Sequence, residues 1–130
     1  MKPEHRELLD QLRPARRVLV VDDHPSFRRC AGALLRAEGF EVVGEAADGT
    51  AALALAAELA PDLVLLDVQL PDLDGFEVAA GLLARDPELR IVLVSSRDRD
   101  AYGSRIEASG AMGFISKGDF SGLELERLLE

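Results

Sequence analysis

The sequence predicts a doubly wound α/β sandwich, a single sheet of five parallel strands with helices on both faces. Three observations lead there. Short apolar runs alternate with helical patterns along the whole chain. Two of those runs, at 18–21 and 63–66, are continuously apolar, as befits strands buried on both faces of a parallel sheet. Both of them end in carboxylates, Asp22-Asp23 and Asp67. In open α/β sheets the ligand site lies at the carboxyl ends of the strands.

Each element has a local reason. After Val18-Leu19-Val20-Val21, Pro25 suits the first turn of a helix whose Phe27, Cys30, Ala31, Leu34 and Leu35 recur at helical spacing until Gly39 stops it. The lone Cys30 falls on that inner face and reads as packing. Glu41 to Ala46 forms a weaker second strand. Asp48 caps an Ala- and Leu-rich helix closed by Pro61, just before the run from Leu63 to Leu66. Asp74 caps a third helix through about Arg85. Arg90 to Val94 is the fourth strand, ended by Ser95 and Ser96. Asp98 to Ala108 is polar with few apolar anchors and predicts a marginal fourth helix. Ala111 to Ser116 is a short fifth strand. A capping-box pattern at Ser121 and Glu124, stapled by Phe120 and Leu125, opens the last helix. Residues 1–16 form an N-terminal extension in which Leu8, Leu9 and Leu12 could line a short helix ended by Pro14, and 17–130 form the domain.

A chain of 130 residues, 48% hydrophobic and 30% charged, is long enough for one cored domain. Its apolar stretches are too short to span a bilayer and its N-terminus is charged, which predicts a cytoplasmic protein with no membrane association. Net charge is −9; residues 1–17 carry +2 and the remainder −11. An acidic body of this kind argues against direct contact with nucleic acid. It suits a cation or a basic partner surface, although solubility alone also explains many of the charges.

The carboxylates then pose a problem of electrostatics. Two of them about 5 Å apart at an effective dielectric of about 20 repel by ~3 kcal/mol, equivalent to roughly two pKa units. One of Asp22 and Asp23 is explained by capping the first helix; two are not. Adjacent carboxylates at a strand end hold a hard cation such as Mg²⁺, and Mn²⁺ would satisfy the same oxygens. His24 follows the pair, but a hard-cation site favours oxygen, so it reads as a solvent-facing residue. Ser95 and Lys117 end later strands and add a hydroxyl and an ammonium to the same edge. Those are the donors a phosphoryl group on a metal-bound carboxylate requires. Ser95 could instead cap the next helix, as Ser96 could, and Lys117 could be a solvated loop charge. Basic-residue usage favours the functional reading, because 13 of the 15 basic residues are arginine and only Lys2 and Lys117 are lysine.

Val-Asp-Asp at 21–23, Leu-Asp at 66–67, Leu-Pro-Asp-Leu-Asp-Gly at 70–75, Val-Ser at 94–95 and Phe-Ile-Ser-Lys at 114–117 resemble the receiver domains of two-component response regulators, the CheY-like family. The resemblance implies strand order 2-1-3-4-5. It implies that Asp67 accepts a phosphoryl group from a sensor histidine kinase, with Mg²⁺ held by Asp22, Asp23, Asp67 and the backbone carbonyl of Gln69. It implies that Ser95 and Lys117 engage the phosphoryl group, and that Phe114 turns inward with Ser95 to alter the surface of the fourth helix, fifth strand and fifth helix. On periodicity alone Phe114 reads equally as a core residue. That surface would meet a downstream protein or a second copy of the chain. Gly118 departs from the proline common after the family's lysine, and Gln69 and Arg97 occupy the positions that tune phosphoryl lifetime. The expectation is a stand-alone receiver with no output domain and no enzymatic activity beyond its own phosphorylation and dephosphorylation. An aspartyl-phosphate phosphohydrolase on a similar scaffold is the enzyme alternative, and a phosphorylation-independent interaction module is the third reading.

Overall fold

The computed structural model describes residues 16–129. The expected extension, with its helix over Leu8, Leu9 and Leu12, lies outside the described residues apart from Arg16. Five parallel strands, β1 (Arg17–Val21), β2 (Glu41–Ala46), β3 (Leu63–Asp67), β4 (Arg90–Ser95) and β5 (Gly113–Ser116), form one sheet in the order β2-β1-β3-β4-β5. The central strands β1, β3 and β4 are buried almost throughout, which is why they read as uninterrupted apolar runs. β2, at the edge, has half-exposed positions and a register slip against β1 between Val18 and Leu19.

The alternation of side chains along each strand divides the core into two layers. Leu19, Val21, Val64, Leu66, Ile91 and Leu93 face α2 (Gly49–Leu59) and α3 (Gly75–Arg85), where Ala52, Val78, Ala79 and Leu82 are buried. Val18, Val20, Leu63, Leu65, Val92, Val94 and Ile115 face the other way. They pack with Ala31 and Leu35 of α1 (Pro25–Ala37) and Leu125 of α5 (Gly122–Leu129). Caps appear where the sequence places them: Asp48 accepts from Ala51 N at 2.7 Å, Asp74 from Glu77 N at 2.9 Å, and Ser121 Oγ from Glu124 N at 3.1 Å.

Three expectations are corrected. Cys30 is exposed, because the buried stripe of α1 runs through Ala31 and Leu35 and one residue is a 100° step around a helix. The fourth helix is not continuous: a 3₁₀ turn at Arg99–Ala101 precedes a single α-helical turn, α4 (Arg105–Ala108), whose one buried side chain is Ile106. The fifth strand begins at Gly113 rather than Ala111, although Met112 N already bonds Ile91 O at 2.9 Å. Among the described residues, no helix is long and apolar enough to cross a membrane.

Candidate functional site

Because β1 and β3 are neighbours with Val21 opposite Leu66, the residues one step further on, Asp22 and Asp67, emerge side by side at the carboxyl edge. Both are buried, at 0% and 2% exposure, whereas Asp23 beside them is open to solvent. One ligand atom from each of Asp22, Asp23, His24 and Asp67 falls within 4.8 Å of all the others. Lys117, in a 3₁₀ turn after β5, reaches across β4 to bring Nζ to 2.6 Å from Asp22 Oδ2 and 3.3 Å from Asp67 Oδ2. The edge therefore gathers Asp22, Asp23, Asp67 and Lys117.

Local backbone geometry holds the acids in place. Asp22 Oδ1 accepts the N–H of His24 at 2.8 Å, and Asp67 Oδ1 accepts that of Gln69 at 3.0 Å, each a carboxylate turning back on the loop after its strand. Neither Asp22 nor Asp23 is the helix cap the sequence suggested; His24 holds that position without a side-chain cap bond. His24 is solvent-facing, as expected, yet its Nδ1 also lies 3.1 Å from both Asp22 Oδ1 and Asp23 Oδ1. Arg28, which sequence reasoning passed over, donates to the Asp22 carbonyl at 2.6 Å and to Glu45 at 3.1 Å, pinning the first loop to β2. Its position one helical turn after His24 was the available signal.

The loop after β3 is held more firmly still. Asp72 accepts from Gly49 N, Thr50 N and the Thr50 hydroxyl, and these bonds hold its carboxyl far below the usual range. Gly75 N bonds Val68 O at 2.7 Å, so close that a Cβ on Gly75 would sit 2.6 Å from Val68 Cα. Only glycine permits α3 to start against the strand end that carries Asp67.

Burial is the main force on Asp67 and pushes its pKa up; the Asp22 charge adds to the rise, while the Gln69 N–H and Lys117 oppose it. Burial pulls Lys117 down, but the contact with Asp22 and the Asp67 charge outweigh it, and its pKa is raised. By formal charge, three carboxylates against one ammonium leave two negative charges, the complement of one divalent cation. Asp22 Oδ2 is fully buried, and the Lys117 ammonium at 2.6 Å is its one ion-pair partner among the described residues. Buried carboxylates that outnumber the one ammonium beside them are costly, and a hard cation would satisfy their remaining oxygens. The donor set thus fits Mg²⁺. Gln69 lies beside the cluster, its N–H already committed to Asp67.

Ser95 and Phe114 form a second group on the same side of the sheet. Ser95 ends β4 fully buried; its Oγ accepts from Arg97 N at 3.1 Å and shares a 2.6 Å hydrogen bond with the Tyr102 hydroxyl. Among the described residues its hydrogen bonds run to these two groups and not to Asp67 or Lys117. The ring of Tyr102 stands between Phe76 and Phe114, with centroids 5.7 and 5.9 Å away. The tie between Tyr102 and Ser95 has no local signature in the sequence.

Comparison with known proteins agrees with this geometry. The family model described as the response regulator receiver domain matches residues 18–129. The virulence-factor transcription regulator BvgA of Bordetella pertussis is 41% identical over 101 residues, which are 78% of this chain and 48% of BvgA. The response regulator GacA of Pseudomonas aeruginosa is 41% identical over 109 residues, 83% of this chain and 50% of GacA. The chain spans about half the length of these curated relatives. Among solved structures, the signal receiver domain of NarL from Mycobacterium tuberculosis superposes with a TM-score of 0.78 at 39% identity, covering 89% of this chain and 94% of that one. A chain of the Borrelia burgdorferi CheX–CheY–BeF₃–Mg²⁺ complex gives 0.82 at 24% identity, covering 93% and 90%, a likeness of fold.

Proposed function

The chain belongs to the response regulator receiver domain family, and from that premise we propose that it accepts a phosphoryl group on Asp67 from the phosphohistidine of a sensor histidine kinase. A carboxylate oxygen of Asp67 attacks phosphorus, the P–N bond to the donor imidazole breaks with its electron pair leaving on nitrogen, and an acyl phosphate results. The observation that carries this reading is the pairing of the buried Asp67 with the partly buried Lys117, 3.3 Å apart, beside two further carboxylates. Lys117 stabilises charge on the transferred group at a position already held by Asp22. Asp22, Asp23, Asp67 and the Gln69 carbonyl would hold Mg²⁺, which when bound neutralises the acids and draws charge from the phosphoryl oxygens.

Ser95 then hydrogen-bonds the phosphoryl group, and Phe114 responds, changing the face formed by α4, β5 and α5. That face addresses a downstream protein or a second copy of the chain, in the cytoplasm, with residues 17–130 as the receiver and 1–16 as an extension to it. The acids work as a switch, and turnover is limited to the protein's own phosphorylation and dephosphorylation. Gln69 stands two residues beyond Asp67, where an aspartyl-phosphate phosphohydrolase would carry its second acid, and that disfavours the enzyme reading.

Incubation with Mg²⁺ and acetyl phosphate, followed by intact mass measurement, tests the proposal. One labile phosphoryl adduct is expected on the wild type and none on Asp67→Asn. An unmodified wild type would overturn it, as would sustained hydrolysis of added phosphomonoesters.

A further inference from the structure

Ser95 has one proton to give. A phosphoryl group offers only acceptor oxygens, so a serine that engages it must donate. In the structure the Ser95 hydroxyl already accepts from Arg97 N and makes its shortest contact, 2.6 Å, with Tyr102. Arg97 N fills one acceptor position of Ser95, and in the contact with Tyr102 either hydroxyl can be the donor. In either direction the contact holds the Ser95 oxygen against Tyr102, so Tyr102 is placed to compete with the phosphoryl group for the same hydroxyl.

The surroundings of Tyr102 make that competition consequential. Its ring bridges Phe76 at the start of α3 and Phe114 on β5. Its own segment is lightly held: α4 is one turn long with Ile106 as its only buried side chain, and Arg105 ties it to α3 by stacking 4.3 Å over Phe76 and pairing with Asp74 at 3.2 Å. A change at the Tyr102 hydroxyl thus acts on a ring already in contact with Phe114 and on a segment with little else to resist movement.

We propose that Tyr102 is a positioning residue for Ser95, holding its hydroxyl in the unphosphorylated protein and releasing it on phosphorylation. This rests on the reading of Asp67 as phosphoacceptor. Releasing Ser95 breaks the bond to the tyrosine hydroxyl, frees the Tyr102 ring from that anchor and so links the phosphoryl group to Phe114 and the α4 segment. A bystander role predicts otherwise, because a tyrosine that merely satisfies a buried serine would leave the phosphorylation equilibrium alone.

Tyr102 is the only tyrosine and the chain has no tryptophan, so its fluorescence reports this residue without labelling. In Mg²⁺ and acetyl phosphate, tyrosine emission and its quenching by acrylamide should change in step with the adduct seen by mass. Tyr102→Phe keeps the ring and removes the hydroxyl, and should lower the acetyl phosphate concentration for half-modification by about fivefold, the scale of one net neutral hydrogen bond. In a Ser95→Ala background the same substitution should have no further effect. An adduct that forms while tyrosine emission and quenching stay constant overturns the role of Tyr102 and leaves Asp67 as acceptor. So does an equal effect of Tyr102→Phe with and without Ser95. A wild type that takes no phosphoryl group overturns both.

Discussion

α3 and the stretch from Ser96 to Met112 occupy equivalent places in the chain, each linking one sheet strand to the next, yet they are built very differently. α3 runs 11 residues, is capped by Asp74, has Gly75 locked against β3 and buries Val78, Ala79 and Leu82. The stretch after β4 breaks into a 3₁₀ turn and one turn of α-helix, with Ile106 buried and the rest attached through Tyr102, Arg105 and the Arg99–Glu107 pair. Exposed ion pairs contribute little, so this segment depends on buried Ile106, on the partly buried Tyr102 and Ala111 packed at the core edge, and on the Tyr102 hydroxyl contact. The difference separates two tasks: α3 fixes the strand end that carries Asp67, while the later stretch, with less buried packing, meets Ser95 through Tyr102.

Core truncation should expose the contrast most strongly. Leu82→Ala should destabilise by about 2–5 kcal/mol in urea unfolding, whereas Ile106→Ala should cost about 1–2 kcal/mol because a single surface turn can settle into the gap. Equal losses would mean that the two stretches are equally integrated. Next, amides of Val78 to Leu82 should exchange about a hundredfold more slowly than those of residues 99–108. Comparable protection would remove the basis for a mobile output face.

A smaller effect concerns charge at the anchored edge. Asp67 has a raised pKa, so the folded protein binds its proton more tightly than the unfolded chain does. Stability therefore falls as pH rises from the ordinary carboxylate range through the raised value, and the full penalty is present above it. Without divalent cation, Asp67→Asn should raise the melting temperature at neutral pH by a few degrees and flatten that pH dependence. An unchanged profile would show that Lys117 already offsets the burial. The smallest effect is expected at Asp72, whose carboxylate ties the loop after β3 to the start of α2. Asp72→Ala should lower the melting temperature modestly. Because the folded pKa of Asp72 is depressed, its contribution is present above the ordinary carboxylate range and lost as pH falls through the lower value.

Most of the framework was legible because its signals are local. Val18 to Val21 and Leu63 to Leu66 are continuous apolar runs, Asp48 and Asp74 precede helical patterns, and Asp22, Asp23, Asp67, Ser95 and Lys117 each follow or end a strand. A parallel sheet aligns strand ends, so those five residues had to share one edge. Cys30 misled because it neighbours the buried stripe without belonging to it. The marginal fourth helix shrank to a 3₁₀ turn and one α-helical turn because Asp98 to Ala108 has no amphipathic repeat, and one buried isoleucine supports only one turn. His24 was assigned its exposure correctly but not its 3.1 Å approach to both acids.

By itself, then, the amino-acid sequence determined the five strands, most of the helices, the two-sided core and the acids at the strand ends, since each follows from a periodicity or cap within a few residues. Only the tertiary structure decided which acid Lys117 approaches most closely, that Asp22 is fully buried against it, and that the Ser95 and Tyr102 hydroxyls meet at 2.6 Å. Those outcomes depend on where side chains from separate elements converge and how much water they exclude. Distance and burial arise from packing, and no spacing along the chain encodes them.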